Sequence, residues 1–267
     1  MVDDSDFLVV SHLCKSFGPR KAVDDISFTV KRGEILGFLG PNGAGKSTTL
    51  KIISALMPPD SGTVKIDAID LCQNPLEAKK RMGFVPETGA LYEKLTPLEY
   101  LEMVGLLYRL GPAEIERKSH LFLRYFDLGE QRNLRMTSFS KGMKQKVVLA
   151  AALLHNPDLL LLDEPLNGLD ANTVMVLKGV MRRLADTGKT IIYSSHILEV
   201  VEKVCDRVAI LQNGRIIAEG NINQLRQMTH SESLELVFKE LTRVEDIEGK
   251  IEGFAEAITK TPHREEI

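Results

Sequence analysis

Five apolar residues, Ile35 to Leu39, run without a break into a glycine-rich loop, Gly40-Pro41-Asn42-Gly43-Ala44-Gly45-Lys46-Ser47-Thr48. A short continuous apolar run ending in glycine predicts a strand buried on both faces. Such strands belong to mostly parallel sheets covered on both sides. The loop matches GxxxxGK[ST], and the residue types follow from phosphate chemistry. Glycines let successive backbone N–H groups curl around an anion without a Cβ clash. A helix read as Lys46 to Leu56 adds its dipole. Lys46 supplies a mobile charge for the β- and γ-phosphates, and the Ser47 hydroxyl suits Mg²⁺.

A second segment, Ser138 to Asp170, carries the complementary chemistry. Ser140-Lys141-Gly142 is a small-residue turn opening a helix, read as Lys141 to Leu154. A buried strand, Leu159 to Leu162, then ends in Asp163 and Glu164. Open α/β sheets place ligands at the carboxyl ends of strands. Asp163 there can hold a metal, and Glu164, one residue on, points elsewhere and can act on a water. Together with the phosphate loop the pair implies nucleotide hydrolysis.

Elsewhere strands alternate with helices. Phe7 to Val10, Ile26 to Val30, Thr63 to Ile66 and Gly83 to Pro86 read as strands. Pro97 to Phe126 is a long stretch of helical pattern, with Ile115, Leu121, Phe122, Tyr125 and Phe126 roughly on one face. Helix Ala171 to Ala185, strand Thr190 to Ser194, helix Ile197 to Val204 and strand Val208 to Leu211 follow. Asn213-Gly214 is a two-residue hairpin turn into Arg215 to Ala218. The pattern predicts an α/β fold with helices on both faces of the sheet. After about Gly220 the signals weaken. Leu234, Val237, Phe238 and Leu241 make one amphipathic turn or two. From about Thr242 the chain reads as a charged end, flexible or partner-bound.

Charge and cysteines narrow the function classes. The net charge is −3, and ten acidic against five basic residues from Ser231 onward leave the rest near neutral. That offers no basic stripe for nucleic acid. Cys14, Cys72 and Cys205 lack zinc or disulfide spacing and fit a reducing compartment. The acidic start, MVDDSDF, is no secretory signal, and the apolar run Val147 to Leu154 is too short to cross a bilayer. A membrane role would have to come through a partner.

Over residues 7 to 228 the chain resembles the ATP-binding subunit of an ABC transporter, with the motifs in that family's order. Gly40 to Thr48 is similar to Walker A, Leu159 to Glu164 to Walker B, and Phe139-Ser140-Lys141-Gly142-Met143 to the signature. Glu87 stands in the Q-loop, Asn167 to Asp170 in the D-loop, and Ser194-Ser195-His196 in the H-loop. Phe17 matches the aromatic that stacks on adenine. The resemblance implies a P-loop NTPase (RecA-like) core, an N-terminal antiparallel β subdomain, a helical signature subdomain near 88–155 and a short extension over 229–267. It implies ATP and Mg²⁺ as ligands, with Ser47, Glu87 and Asp163 around the metal. It also implies Glu164 polarising the water, and Lys46 and His196 on the γ-phosphate. Ser140 and Gly142 would cover the ATP of a second subunit, with Asp170 at the interface.

Three positions depart from the common pattern. Glu87 replaces glutamine, and Lys141 and Met143 replace a glycine and a glutamine of the signature. The form Ser140 to Val147 resembles exporter-type ATPases that serve a separate permease, at the cytoplasmic face of a membrane. Several residues also carry plainer readings. His196 alone reads as a surface or capping histidine, Phe17 as core, Asp170 as a helix cap, and Arg81 with the Pro97 to Phe126 face as ordinary core and surface. The last would otherwise meet a membrane subunit. Non-transport relatives acting on DNA or ribosomes commonly carry two cassettes or long insertions, which this chain lacks. A binding-only module would lack Glu164.

Overall fold

The computed structural model describes residues 6–88, 91–242 and 247–259. A six-stranded sheet forms the centre. Its strands are β3 (Ile35–Leu39), β6 (Met82–Val85), β7 (Leu159–Asp163), β8 (Thr190–Ser194), β9 (Arg207–Gln212) and β10 (Arg215–Gly220), in the spatial order β10-β9-β3-β8-β7-β6. All neighbours pair in parallel except β10, which returns antiparallel through Asn213-Gly214. Both turn residues have positive φ, as a tight hairpin of this hand requires.

Side chains on the central strands alternate between two apolar layers. Leu36, Phe38, Leu159, Leu161 and Ile192 face one side, with Leu50, Ile52 and Ile53 of α1 (Lys46–Ile53). That layer is closed by an antiparallel sheet of β1 (Asp6–Phe17), β2 (Arg20–Lys31), β4 (Ser61–Ile66) and β5 (Ile69–Asp70). The short helix α2 (Pro75–Lys80) adds Ala78 there. Ile35, Leu39, Leu160, Leu162, Ile191 and Tyr193 face the other side. They meet α6 (Ala171–Asp186), α7 (Leu198–Val204), α8 (Ile222–Thr229) and α9 (Leu234–Thr242).

A third core lies apart from the sheet. It joins α3 (Pro97–Leu107), α4 (Pro112–Tyr125) and α5 (Lys141–Leu153) through Leu101, Leu123, Met136, Phe139, Val147 and Leu154. Here the sequence reading needs correction. The helical stretch from Pro97 to Phe126 is two helices. Arg109 takes a left-handed φ of 58°, and Pro112 starts the second helix at a position where its missing N–H costs nothing. The inward face of α4 runs through Ile115, Ser119 and Leu123, while Tyr125 is exposed.

Other boundaries move for local reasons. Helix α1 stops at Ile53, short of Leu56, because Ala55 is left-handed. Asp163 closes β7 within the strand. The end that reads as charged and flexible or partner-bound holds α10 (Ile247–Thr259), with Ile251, Phe254 and Ile258 exposed along it. Residues 243–246 and 260–267 of that end lie outside the described residues.

Candidate active site

The parallel register sets the site. Phe38, one residue before the end of β3, pairs with Ser194 at the end of β8, and Ser194 pairs with Asp163 at the end of β7. Three strand ends therefore open on one edge of the sheet, where α/β folds hold ligands. The cleft there has a volume of about 880 Å³. Phe17, Arg20, the loop from Gly40 to Thr48, Glu87, Glu164, Ser195 and His196 line it, with Leu198 and Phe238.

The loop keeps its curl because neighbours press on it. Gly45 has a φ of 109°, and a Cβ there would stand 2.5 Å from the Ala22 carbonyl oxygen. The Gly214 N–H donates to the Ala44 carbonyl at 3.0 Å, so the β9–β10 hairpin braces the loop from outside. Arg20 donates to the Gly43 carbonyl at 3.1 Å. No side chain caps the start of α1, which leaves its first N–H groups to the cleft.

Lys46 is buried, and its ammonium donates to the Gly40 carbonyl at 2.7 Å and the Pro41 carbonyl at 3.2 Å. Burial pushes its pKa down. The charges of Glu164, Asp163 and Glu87 act the other way. Three carboxylates thus bear on one lysine, an arrangement that a bound polyphosphate would alter strongly.

Asp163 is 1% exposed and accepts a hydrogen bond from the Ser194 hydroxyl at 2.6 Å. Glu164 leaves the strand with a left-handed φ of 48°, strained for a residue with a Cβ. Its N–H still donates to the Ser194 carbonyl at 3.0 Å. Its carboxylate lines the cleft. There Oε1 stands 2.9 Å from His196 Nδ1, and the Ser195 hydroxyl donates to Oε2 at 3.5 Å.

Ser140, Gly142 and Asp170 do not line this cleft. Ser140 caps α5, accepting from the Met143 N–H at 3.2 Å. Gly142 packs backbone to backbone on the 167–170 loop, where a Cβ would run into the Gly168 carbonyl oxygen. Gln145 donates to the Pro165 carbonyl at 3.2 Å, and Lys146 pairs with Asp170 at 3.0 Å. The signature helix and the loop after Glu164 are therefore one packed unit. Asp170 caps α6, accepting from both the N–H and the hydroxyl of Thr173. Those two bonds and Lys146 hold its carboxyl well below the usual range.

Sequence reasoning gave no site role to Arg20, Ala22, Leu39, Leu198 or Phe238, all of which line the cleft. Phe238 showed only as part of an amphipathic turn. Nothing local in the sequence ties it to a loop almost two hundred residues earlier.

A phosphate loop on a mostly parallel sheet, with a carboxylate–histidine pair across the cleft, defines a P-loop ATPase cassette. A family profile described as ABC transporter matches residues 23–167. The ABC transporter ATP-binding protein NatA of Bacillus subtilis (strain 168) is 40% identical, over 82% of this chain and 89% of that protein. The linearmycin resistance ATP-binding protein LnrL of the same organism is 39% identical, over 82% and 70%. A solved ATP-binding subunit of an ABC transporter superposes with a TM-score of 0.83 at 38% identity, covering 88% of this chain and 99% of that one. A dimeric cassette in a post-hydrolysis state with ADP and Pi gives 0.73 at 29% identity, over 80% and 98%. The chain belongs to the ABC transporter family as an ATP-binding, ATP-hydrolysing cassette.

Proposed function

We propose that this cassette drives export through a separate membrane permease, with two cassettes closing head to tail over two ATP molecules. The observation that carries the head-to-tail reading is the division of the motif residues. Phe17, Lys46, Ser47, Glu87, Glu164 and His196 share one cleft, while Ser140 and Gly142 lie off it, with Ser140 exposed. The ATPase unit spans 7–228, with its helical part near 88–155 and an extension over 229–267.

In this reading Phe17, half exposed at the cleft, stacks the adenine. The loop N–H groups and Lys46 hold the phosphates. Glu164 takes a proton from the water as it attacks the γ-phosphorus, the bond to the bridging oxygen breaks, and ADP leaves. His196 holds the γ-phosphate, and its contact with Glu164 fixes both side chains. Mg²⁺ fits the donors present. Ser47, Asp163 and Glu87 offer only oxygen, as a hard cation requires. Among the described residues no group of three or more His, Cys, Asp or Glu would hold a metal alone. Protein oxygens together with ATP phosphates suit Mg²⁺, which neutralises phosphate charge when bound.

A second surface supports the permease. A groove of about 320 Å³ lies between the sheet and the helical part, with Leu56, Phe84, Tyr100, Leu107 and Tyr108 in its wall. Leu107 is 75% exposed at its rim, and Tyr108 stacks on His155 at 3.6 Å. An apolar groove of this kind suits a short helix from a partner. No described helix is long and apolar enough to cross a membrane. In this reading the translocation path is the permease's, and the cassette works at the cytoplasmic face. The resistance protein among the relatives supports export. Co-purification from detergent-solubilised membranes tests the reading. A polytopic membrane protein is expected; a ribosome or DNA in its place overturns it.

A further inference from the structure

The wall of the nucleotide cleft includes one side chain from far outside the ATPase motifs. Phe238 lies on α9, some seventy residues beyond the stretch matched by the family profile. Helix α9 is firmly seated. Leu234 and Val237 are fully buried in the core beneath it, and α9 packs on both α7 and α8. Its last turn is pinned as well, since the Gln212 side chain donates to the Thr242 carbonyl at 2.7 Å. Gln212 ends β9, and the preceding residue, Leu211, presses its carbonyl oxygen against Gly40 of the phosphate loop. The helix therefore spans from the phosphate-loop edge of the sheet to α7.

Helix α7 begins two residues after His196, and its first residue, Leu198, also lines the cleft. The His196 side chain is 62% exposed and is held on the cleft side by Glu164. Its aim therefore depends on how the start of α7 is packed. A phenyl ring has no chemistry to offer phosphate. Lining the same cleft as Leu198, on a helix packed against α7, it can exclude water and steady the backbone that carries the histidine.

We infer that Phe238 is a positioning residue of the ATPase site: from the C-terminal helix it buttresses the start of α7, and so sets His196 and its partner Glu164 for turnover. This rests on the roles proposed above for Glu164 and His196. It makes the C-terminal segment part of the catalytic architecture, acting on the rate of hydrolysis more than on ATP affinity. Misplacement of catalytic groups by about 1 Å can lower a rate by ~100-fold. A buttress lost from one side is expected to cost about tenfold.

The chain contains no tryptophan, which permits a direct test in the full-length protein. Phe238→Trp places a single reporter in the cleft wall, and Leu236→Trp places one on the exposed side of the same helix. ATP is expected to change the emission of the first and not of the second. A Phe238→Trp protein that stays silent while a fluorescent ATP analogue shows the site occupied overturns the placement. In parallel, Phe238→Ala is expected to lower kcat about tenfold with the ATP Kd within about twofold. Phe238→Leu restores most of the rate, and Met181→Ala, which loosens the same core from α6 and not from α9, lowers Tm but not kcat at a temperature well below the transition. An unchanged kcat in Phe238→Ala, no rescue by leucine, or an equal loss in Met181→Ala overturns the inference. Glu164→Gln run alongside separates the two levels. If it keeps turnover, the proposed site roles fail; if it loses turnover while Phe238→Ala does not, only the inference about Phe238 fails.

Discussion

His196 Nδ1 stands 2.9 Å from Glu164 Oε1, across the mouth of the nucleotide cleft. The pair joins the end of β7 to the turn after β8, two strands that are neighbours in the sheet. Each side chain limits where the other can point. Glu164 pays for its place with a left-handed backbone, and Ser195 steadies its second oxygen.

His196→Ala removes one half of that pair. Turnover is expected to fall by about 10²-fold or more, within the range for loss of a positioned polar group in a transition state. ATP affinity should change far less. Steady-state ATPase assays beside equilibrium nucleotide binding separate the two effects.

Phe17→Ala should act in the opposite sense. Base stacking on an aromatic face contributes ~1–3 kcal/mol, so ATP affinity is expected to fall about 5- to 150-fold. The maximal rate at saturating ATP should stay near that of the parent. Titration with ATP and with a triphosphate lacking the base checks this, because the second ligand should bind both proteins alike.

Gly142→Ala tests the junction between signature helix and the loop after Glu164. Its methyl group would meet the Gly168 carbonyl oxygen, so the two segments must separate. ATP binding to one chain should survive, since Gly142 lies off that chain's cleft. Turnover and ATP-dependent dimerisation should both drop, which light scattering with and without ATP would show.

Asp170 gives a pH prediction. Its folded-state pKa is depressed by the Thr173 hydroxyl, then the Thr173 N–H, then Lys146. A depressed carboxylate stabilises the fold at neutral pH, and that contribution is lost as pH falls below about 4 toward the folded value. Asp170→Asn keeps a helix cap but removes the charge. The variant should be less stable at neutral pH and should lose less stability than the parent on acidification. Denaturant melts across acidic pH would reveal this convergence.

Much of the fold was legible because its signals are local. The strand Ile35–Leu39 and the strand Thr190–Ser194 have the bounds read from sequence. Their continuous apolar runs leave no other option for a sheet covered on both faces. The phosphate loop, Asp163, Glu164 and His196 fall in one region because parallel strands bring their carboxyl ends to one edge. Other features depend on contacts that no local pattern announces. The break at Arg109 to Pro112, which divides the helical stretch into two helices, is one. Gly142 reads as a phosphate contact, yet its backbone first serves a tight packing against Gly168. Phe238 reaches the cleft only because α9 lies across α7 and is tied to Gln212. Apolar spacing identified its buried stripe but not what the edge of that stripe would face.

The account stands or falls on Glu164 as the group that activates water. Glu164→Gln keeps the shape of the side chain and removes its basicity. Loss of a general base lowers turnover by ~10²–10⁴-fold. The account predicts a loss of that size, with ATP binding intact and a dimer that accumulates when ATP is added. Turnover close to that of the parent in this variant would contradict it.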